Sequence, residues 1–284
     1  MFYILDISDL SYFDKNFIGS CYSNPRIPVI NPGDILDVLC PDCNHDGCQG
    51  KVIDFKITDQ INYKFNNMRF RCDDLDLSKS ENNFLFSGCS VTFGMGIPYS
   101  KTWAYQVNSH LGGESFFNIA LPAGSFKSII FDIFAYIRNY GKPKAVFVLF
   151  PPLLRQPVIE NEKIRTLPYY RKDHSERSDA IKILNENTMM FEFSRLVGIL
   201  EDYLSVLGVP LLWGTYEPEF DKVLSKLDIS KNYVSVTNNP VAFNYANSIP
   251  EQDRTDYWLK SRDGHNPVIE HTMFAKSFID RYNA

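Results

Sequence analysis

From residue 84 onward, short apolar runs alternate with segments whose apolar positions recur every three or four residues. Phe84-Leu-Phe is a short strand closed by Ser87-Gly88, and Thr102–Leu111 places Trp103, Val107 and Leu111 at helical spacing. Phe116–Ile119 reads as a second short strand. Phe126–Tyr140 is a helix with Ile130, Ile133, Phe134 and Ile137 on one face. Ala145–Phe150 is apolar without interruption, as a central parallel strand must be when both its faces are covered. Asn187–Leu207 is a long helix, Val209–Trp213 and Tyr233–Val236 are strands, and Pro267–Tyr282 is a closing helix. The alternation predicts an α/β fold: a three-layer α/β/α sandwich with a mostly parallel sheet of about five strands. The charged stretch Arg155–Ser178, with two prolines and two adjacent tyrosines, reads as a long loop over the site.

The first 80 residues have a different texture. Ile27-Pro-Val-Ile-Asn-Pro-Gly-Asp carries turn signals, and Lys51-Val-Ile-Asp-Phe-Lys-Ile alternates like a half-buried strand. Leu75–Asn83 is polar. The expected division is therefore a β-rich extension over 1–80 and the α/β domain over 81–284. With 44% apolar and 22% charged residues, the chain of 284 residues has the composition of a folded protein. Its net charge of −5 argues against nucleic acid and against an anionic membrane surface as partners. The opening Met-Phe-Tyr-Ile-Leu-Asp-Ile-Ser-Asp lacks the early basic residues of an export signal. The expected location is the cytoplasm or a virus particle.

The six cysteines are Cys21, Cys40, Cys43, Cys48, Cys72 and Cys89, all in the N-terminal third. Cys40-Pro-Asp-Cys43-Asn-His45-Asp-Gly-Cys48 has the tight Cys-x-x-Cys turn of a zinc knuckle. Four ligands within nine residues are cramped for one tetrahedral ion, so Cys21 or Cys72 is a further candidate ligand. A structural zinc, unligated thiols and a disulfide all remain open readings.

A second constellation is divided between the two ends of the α/β region. Just after the first strand, Ser87-Gly-Cys-Ser90-Val-Thr-Phe-Gly94-Met-Gly96 lets the chain turn sharply, with Ser90 at the rim where ligands bind in parallel sheets. A capping serine in a glycine-rich turn is the plain alternative. Near the C-terminus, Ser261-Arg-Asp263-Gly-His265-Asn-Pro267 precedes the last helix. A serine hydroxyl needs a base, and the base needs an orienting group, which His265 and Asp263 supply on one loop. His271, inside the last helix, is the other candidate base and equally a packing residue.

These blocks resemble the SGNH (GDSL-type) hydrolase superfamily from about Asn66 to the C-terminus. Gly88-Cys89-Ser90 stands at its Gly-Asp-Ser block, with Thr92-Phe-Gly-Met-Gly following. Asn118-Ile-Ala-Leu-Pro-Ala123-Gly124-Ser125 resembles the second block, and Asp263-Gly-His265 the last. Upstream, Asn66-Asn-Met-Arg-Phe70-Arg71 resembles an Asn-x-x-Gly-Phe-Arg segment that often precedes the first block. The Arg262-Asp-Gly-His pairing is most similar to SGNH-type proteins of tailed phages and marine bacteria.

The resemblance implies a serine esterase acting on an acetyl or other short acyl ester of a small molecule or glycan. Ser90 would be the nucleophile, His265 the base and Asp263 its orienter. The Ser90 N–H and that of Gly124 or Ala123 would hold the oxyanion, beside Asn118. No cofactor is needed for this chemistry. The chain departs from the family in four places. The second-block spacing is off by one residue, which is why Gly124 and Ala123 are both candidates. Cys89 replaces Asp. The Asp–His spacing is two rather than three. No Asn follows the central strand, where Leu149-Phe-Pro-Pro-Leu-Leu-Arg155 stands. A missing side-chain donor costs about 3–4 kcal/mol of transition-state stabilisation unless replaced. Arg155 is the candidate replacement or an anchor for an anionic substrate group, and a surface charge in the plain reading. The departures keep a rival expectation alive: a non-catalytic virion or glycan-binding protein on the same scaffold, with other virion proteins as partners.

Overall fold

The structure is a computed structural model and describes residues 66, 70–73, 81–95, 97–122, 124–153, 155–160, 163–167, 186–227, 230–248, 266 and 268–284. Cys21, Cys40, Cys43, His45, Cys48, Asp263 and His265 lie outside the described residues, as does Ala123.

A parallel sheet of four strands forms the middle layer: β1 (Phe84–Gly88), β2 (Phe117–Asn118), β3 (Ala145–Phe150) and β6 (Leu211–Thr215), in spatial order β2-β1-β3-β6. Tyr233 adds a parallel bridge to Trp213 at the β6 edge, where a full strand was expected. Side chains alternate between two apolar clusters, as the period of two requires. Leu85, Val146, Val148, Phe150 and Trp213 point to one face, with helices α3 (Phe126–Tyr140) and α4 (Glu186–Leu207). Phe84, Phe86, Phe147 and Leu149 point to the other, with α2 (Trp103–His110) and α7 (Val268–Asn283). This is the three-layer α/β/α arrangement expected from the sequence.

The β1 and β3 side chains are all buried, and removing each large apolar side chain from water contributes roughly 1.5–3 kcal/mol. Aromatic contacts lock the α2–α7 face: Trp103 stacks on Phe278 at 4.8 Å, and Phe86 on Phe147 at 5.2 Å. On α3, Ser125 and Ser128 form a reciprocal capping box.

The long loop expected over Arg155–Ser178 is instead an antiparallel hairpin in its first part, β4 (Gln156–Glu160) paired with β5 (Lys163–Leu167). Among the described residues, two further helices, α5 (Pro218–Leu227) and α6 (Pro240–Ser248), lie between β6 and α7. Residues on the N-terminal side of 80 already pack onto the sheet. The Asp73 N–H donates to the Phe116 carbonyl at 3.1 Å, and Phe70 packs against both clusters. Among the described residues, no helix is long and apolar enough to cross a membrane.

Candidate active site at the carboxyl edge of the sheet

Strand register aligns Gly88 with Leu149, and Leu149 with Gly214, so the chain leaves β1, β3 and β6 at nearly one level. Beyond β1 lies the short helix α1 (Ser90–Phe93), with Cys89 as its N-cap. Ser90 is thus the first residue of a helix at the carboxyl end of a central strand. Its backbone N–H belongs to the first turn, where no intrahelical acceptor exists.

Gly88 makes this turn possible. A Cβ there would lie 2.0 Å from Thr92 Oγ1 and 2.8 Å from the Leu149 carbonyl, so no side chain fits between α1 and β3. Gly94 closes the helix with φ of 81°, the left-handed conformation that glycine adopts without steric cost.

The hydroxyl of Ser90 is enclosed, with the residue only 5% exposed, and it donates weakly to Cys89 Sγ at 3.9 Å. The Cys89 thiol in turn donates to Tyr216 Oη at 3.5 Å. Tyr216 directly follows β6. Burial pushes its phenol well above the usual range, the neighbouring Cys89 adds to that, and the charge of Arg155 opposes it. The phenol therefore keeps its proton and stays a donor. Arg155, Tyr216, Cys89 and Ser90 thus gather beyond the ends of β3, β6 and β1. Tyr216 was not singled out from sequence, although its place immediately past a strand end was the available signal.

The second-block residues behave differently from expectation. The Gly124 N–H donates to the Leu121 carbonyl at 3.1 Å, so in this conformation it is turned to its own loop and not to an oxyanion. Asn118 is buried and acts as a bracket: its Nδ2 donates to the Thr92 carbonyl at 3.0 Å, and its Oδ1 accepts the Ala120 N–H at 3.1 Å.

His271 is 1% exposed on α7, and its Nδ1 accepts the backbone N–H of Trp103 at 3.1 Å. Its ring packs 6.0 Å from that of Phe274. These contacts assign it to the α2–α7 interface. Cys72 and Cys89 are buried, and Cys72 Sγ accepts from Asn66 Nδ2 at 3.4 Å. Among the described residues no cluster of His, Cys, Asp or Glu is arranged to hold a metal ion.

Two positions that sequence reading did not single out for a role are structural hubs. Arg71 is 1% exposed and donates to the carbonyls of Phe93, Gly94 and Ile97, with the last at 2.9 Å. Asp221, fully buried on α5, accepts from Tyr233 Oη, Ser235 Oγ at 2.9 Å, the Thr237 N–H at 3.0 Å and the Asn238 N–H at 3.1 Å. The carboxylate thereby ties down the loop that leads from the sheet edge into α6.

No family model and no curated protein matches the chain. Among solved structures four chains match, and two of them are as follows. One is the crystal structure of TesA, at 12% identity and a TM-score of 0.42, over 70% of this chain and 97% of that one. The other is a member of the lipolytic protein G-D-S-L family from Veillonella parvula, at 13% identity and a TM-score of 0.38, over 71% of this chain and 98% of that one.

Proposed function

We propose that the chain is a serine ester hydrolase of the SGNH type, acting on an acetyl or other short acyl ester, with a carbohydrate as the favoured alcohol. One observation carries the reading: Ser90 opens a helix at the carboxyl end of a central parallel strand, behind a glycine that no other residue can replace. That arrangement offers a hydroxyl and a first-turn N–H to the same carbonyl group. The close surroundings of Ser90 favour a small acyl group over a long one.

In the proposed reaction, Ser90 Oγ forms a bond to the acyl carbon while His265 takes its proton and Asp263 orients the imidazole. The carbonyl electron pair moves to oxygen, which the Ser90 N–H receives. Collapse breaks the ester C–O bond, and His265 returns the proton to the departing alcohol. Water then repeats the sequence on the acyl-serine. The Gly124 N–H joins the oxyanion only if its turn opens. Arg155 and the protonated Tyr216 phenol are the other nearby donors, and both are candidates for the place of the missing Asn.

The engaged Gly124 N–H and the enclosed Ser90 favour a second reading, a non-catalytic glycan-binding or virion protein on this scaffold. Turnover of p-nitrophenyl acetate separates the two. The esterase reading expects turnover and fluorophosphonate labelling in the wild type, both lost in Ser90→Ala. A folded wild type that neither turns over nor labels supports the second reading. The proposed zinc at Cys40, Cys43, His45 and Cys48 is a separate matter of metal content, with about one equivalent expected.

A further inference from the structure

Five of the seven large apolar side chains exposed among the described residues lie on one face, that of α3 and α4. They are Phe131 on α3 and Phe191, Ile199, Tyr203 and Val206 on α4, with Phe191 63% and Val206 87% exposed. The two helices run side by side, joined by the Lys127–Glu192 ion pair at 2.7 Å and the edge-on contact of Phe134 with Tyr203 at 5.0 Å. Among the described residues, the other two are Val223 and Val241. An apolar surface concentrated in this way marks an interaction site.

The order of residues along α4 selects the partner. At 100° per residue, Phe191, Arg195, Gly198, Asp202 and Val206 fall on one stripe. Arg195 and Asp202 are both exposed, lie two turns apart, and have no ion-pair partner among the described residues. Arg195 instead lies over the Phe191 ring at 5.7 Å. The stripe is self-complementary when reversed about its centre at Gly198–Ile199. An antiparallel copy brings Arg195 against Asp202 twice and Phe191 against Val206 twice, with Ile199 near the axis. Parallel pairing would set arginine on arginine and aspartate on aspartate. A Cβ at Gly198 would meet nothing within 4 Å, so the absent side chain leaves room for a second helix at the centre.

We infer that α4 is the core of a two-fold homodimer in which two copies of this helix pack antiparallel, crossing at Gly198–Ile199. The apolar side chains supply the affinity. The charge pairs, individually weak at a surface, set the register and orientation. A two-fold contact of this kind uses the same patch on both subunits and closes on itself.

Sedimentation velocity on the full chain, over rising concentration, is the test. The wild type should associate to twice its 32.7 kDa mass. Arg195→Glu and Asp202→Lys should each weaken the dimer about tenfold or more, because each sets like charges together at both contacts. An equimolar mixture of the two variants should dimerise again, since both contacts of the mixed dimer join opposite charges. A wild type that stays monomeric at high concentration would overturn the proposal. So would a dimer indifferent to both substitutions, or a mixture that fails to recover.

Discussion

The backbone N–H of Trp103 donates to Nδ1 of His271, fastening the first turn of α2 to that of α7 across the apolar face of the sheet. One ring nitrogen of His271 is therefore occupied by structure, and the residue is buried among aromatic side chains. An accepting Nδ1 leaves the neutral ring's proton on Nε2, which then has no lone pair to take a serine proton, so the proposed reaction keeps His265 as its base.

This leads to opposite outcomes for the two histidines. His271→Ala should leave a cavity and an unpaired Trp103 N–H, destabilising the fold by on the order of 2–3 kcal/mol while esterase turnover persists at temperatures where the variant is folded. His265→Ala should reduce turnover about 10³-fold or more with little change in melting temperature. Parallel melting curves and p-nitrophenyl acetate kinetics check both. Inactive, fully stable His271→Ala protein would reverse the assignment.

Much of this arrangement was legible in the sequence, and the reasons are local. Ala145–Phe150 could only be a buried strand, and Phe126–Tyr140 carried its own apolar stripe and capping serines, so both elements form as expected. The β4–β5 hairpin was hidden because Pro157 and a run of charges broke the alternation that marks a strand. The start of α5 had its signals, a proline at the first helical position and acids in the first turn, but its polar length outweighed them. Asp221 had no short-range signal, and Tyr216 had only its place just past the end of β6. The hydroxyls and amides around Asp221 come from 12 to 17 residues away, and Tyr216 meets Cys89 across 127. Only the closed fold brings those groups together.

Asp132, half-buried on α3, makes stability depend on pH. Burial raises its carboxyl from the ordinary range to about 8. The unfolded chain ionises this group near pH 4, whereas the folded chain keeps its proton until about pH 8. Between those values the folded state binds the extra proton, so the contribution is complete below about pH 4 and is lost as pH rises through 8. Asp132→Asn should match the wild type in melting temperature near pH 4 and exceed it at pH 9. A pH series of thermal melts on both proteins tests this. An equal slope in the two would assign the alkaline loss to another group.

Arg71 poses the sharpest question about how the proposed nucleophile is held. Its guanidinium sits at the C-terminal end of α1, the helix that Ser90 begins, and donates to the orphan carbonyls of Phe93 and Gly94 and to that of Ile97. The same group lies 5.6 Å from the Phe93 ring and 5.9 Å from the Tyr99 ring. A fixed cation at a helix C-terminus complements the helix dipole, and the planar fork reaches several acceptors at once. Under the proposed esterase reading, Arg71 would be a positioning residue that acts on Ser90 through the single turn of α1. Arg71→Met leaves buried carbonyls unpaired and should cost on the order of 3 kcal/mol. Arg71→Lys keeps the charge but loses the fork, and should recover part of that stability. If the turn governs reactivity, both variants should lower kcat and slow fluorophosphonate labelling of Ser90 at temperatures where they remain folded, with KM changed far less. A core substitution matched in stability but distant from α1, such as Leu204→Ala on α4, should leave the labelling rate at the wild-type value. Wild-type labelling in folded Arg71→Met would confine Arg71 to stability and detach it from the chemistry.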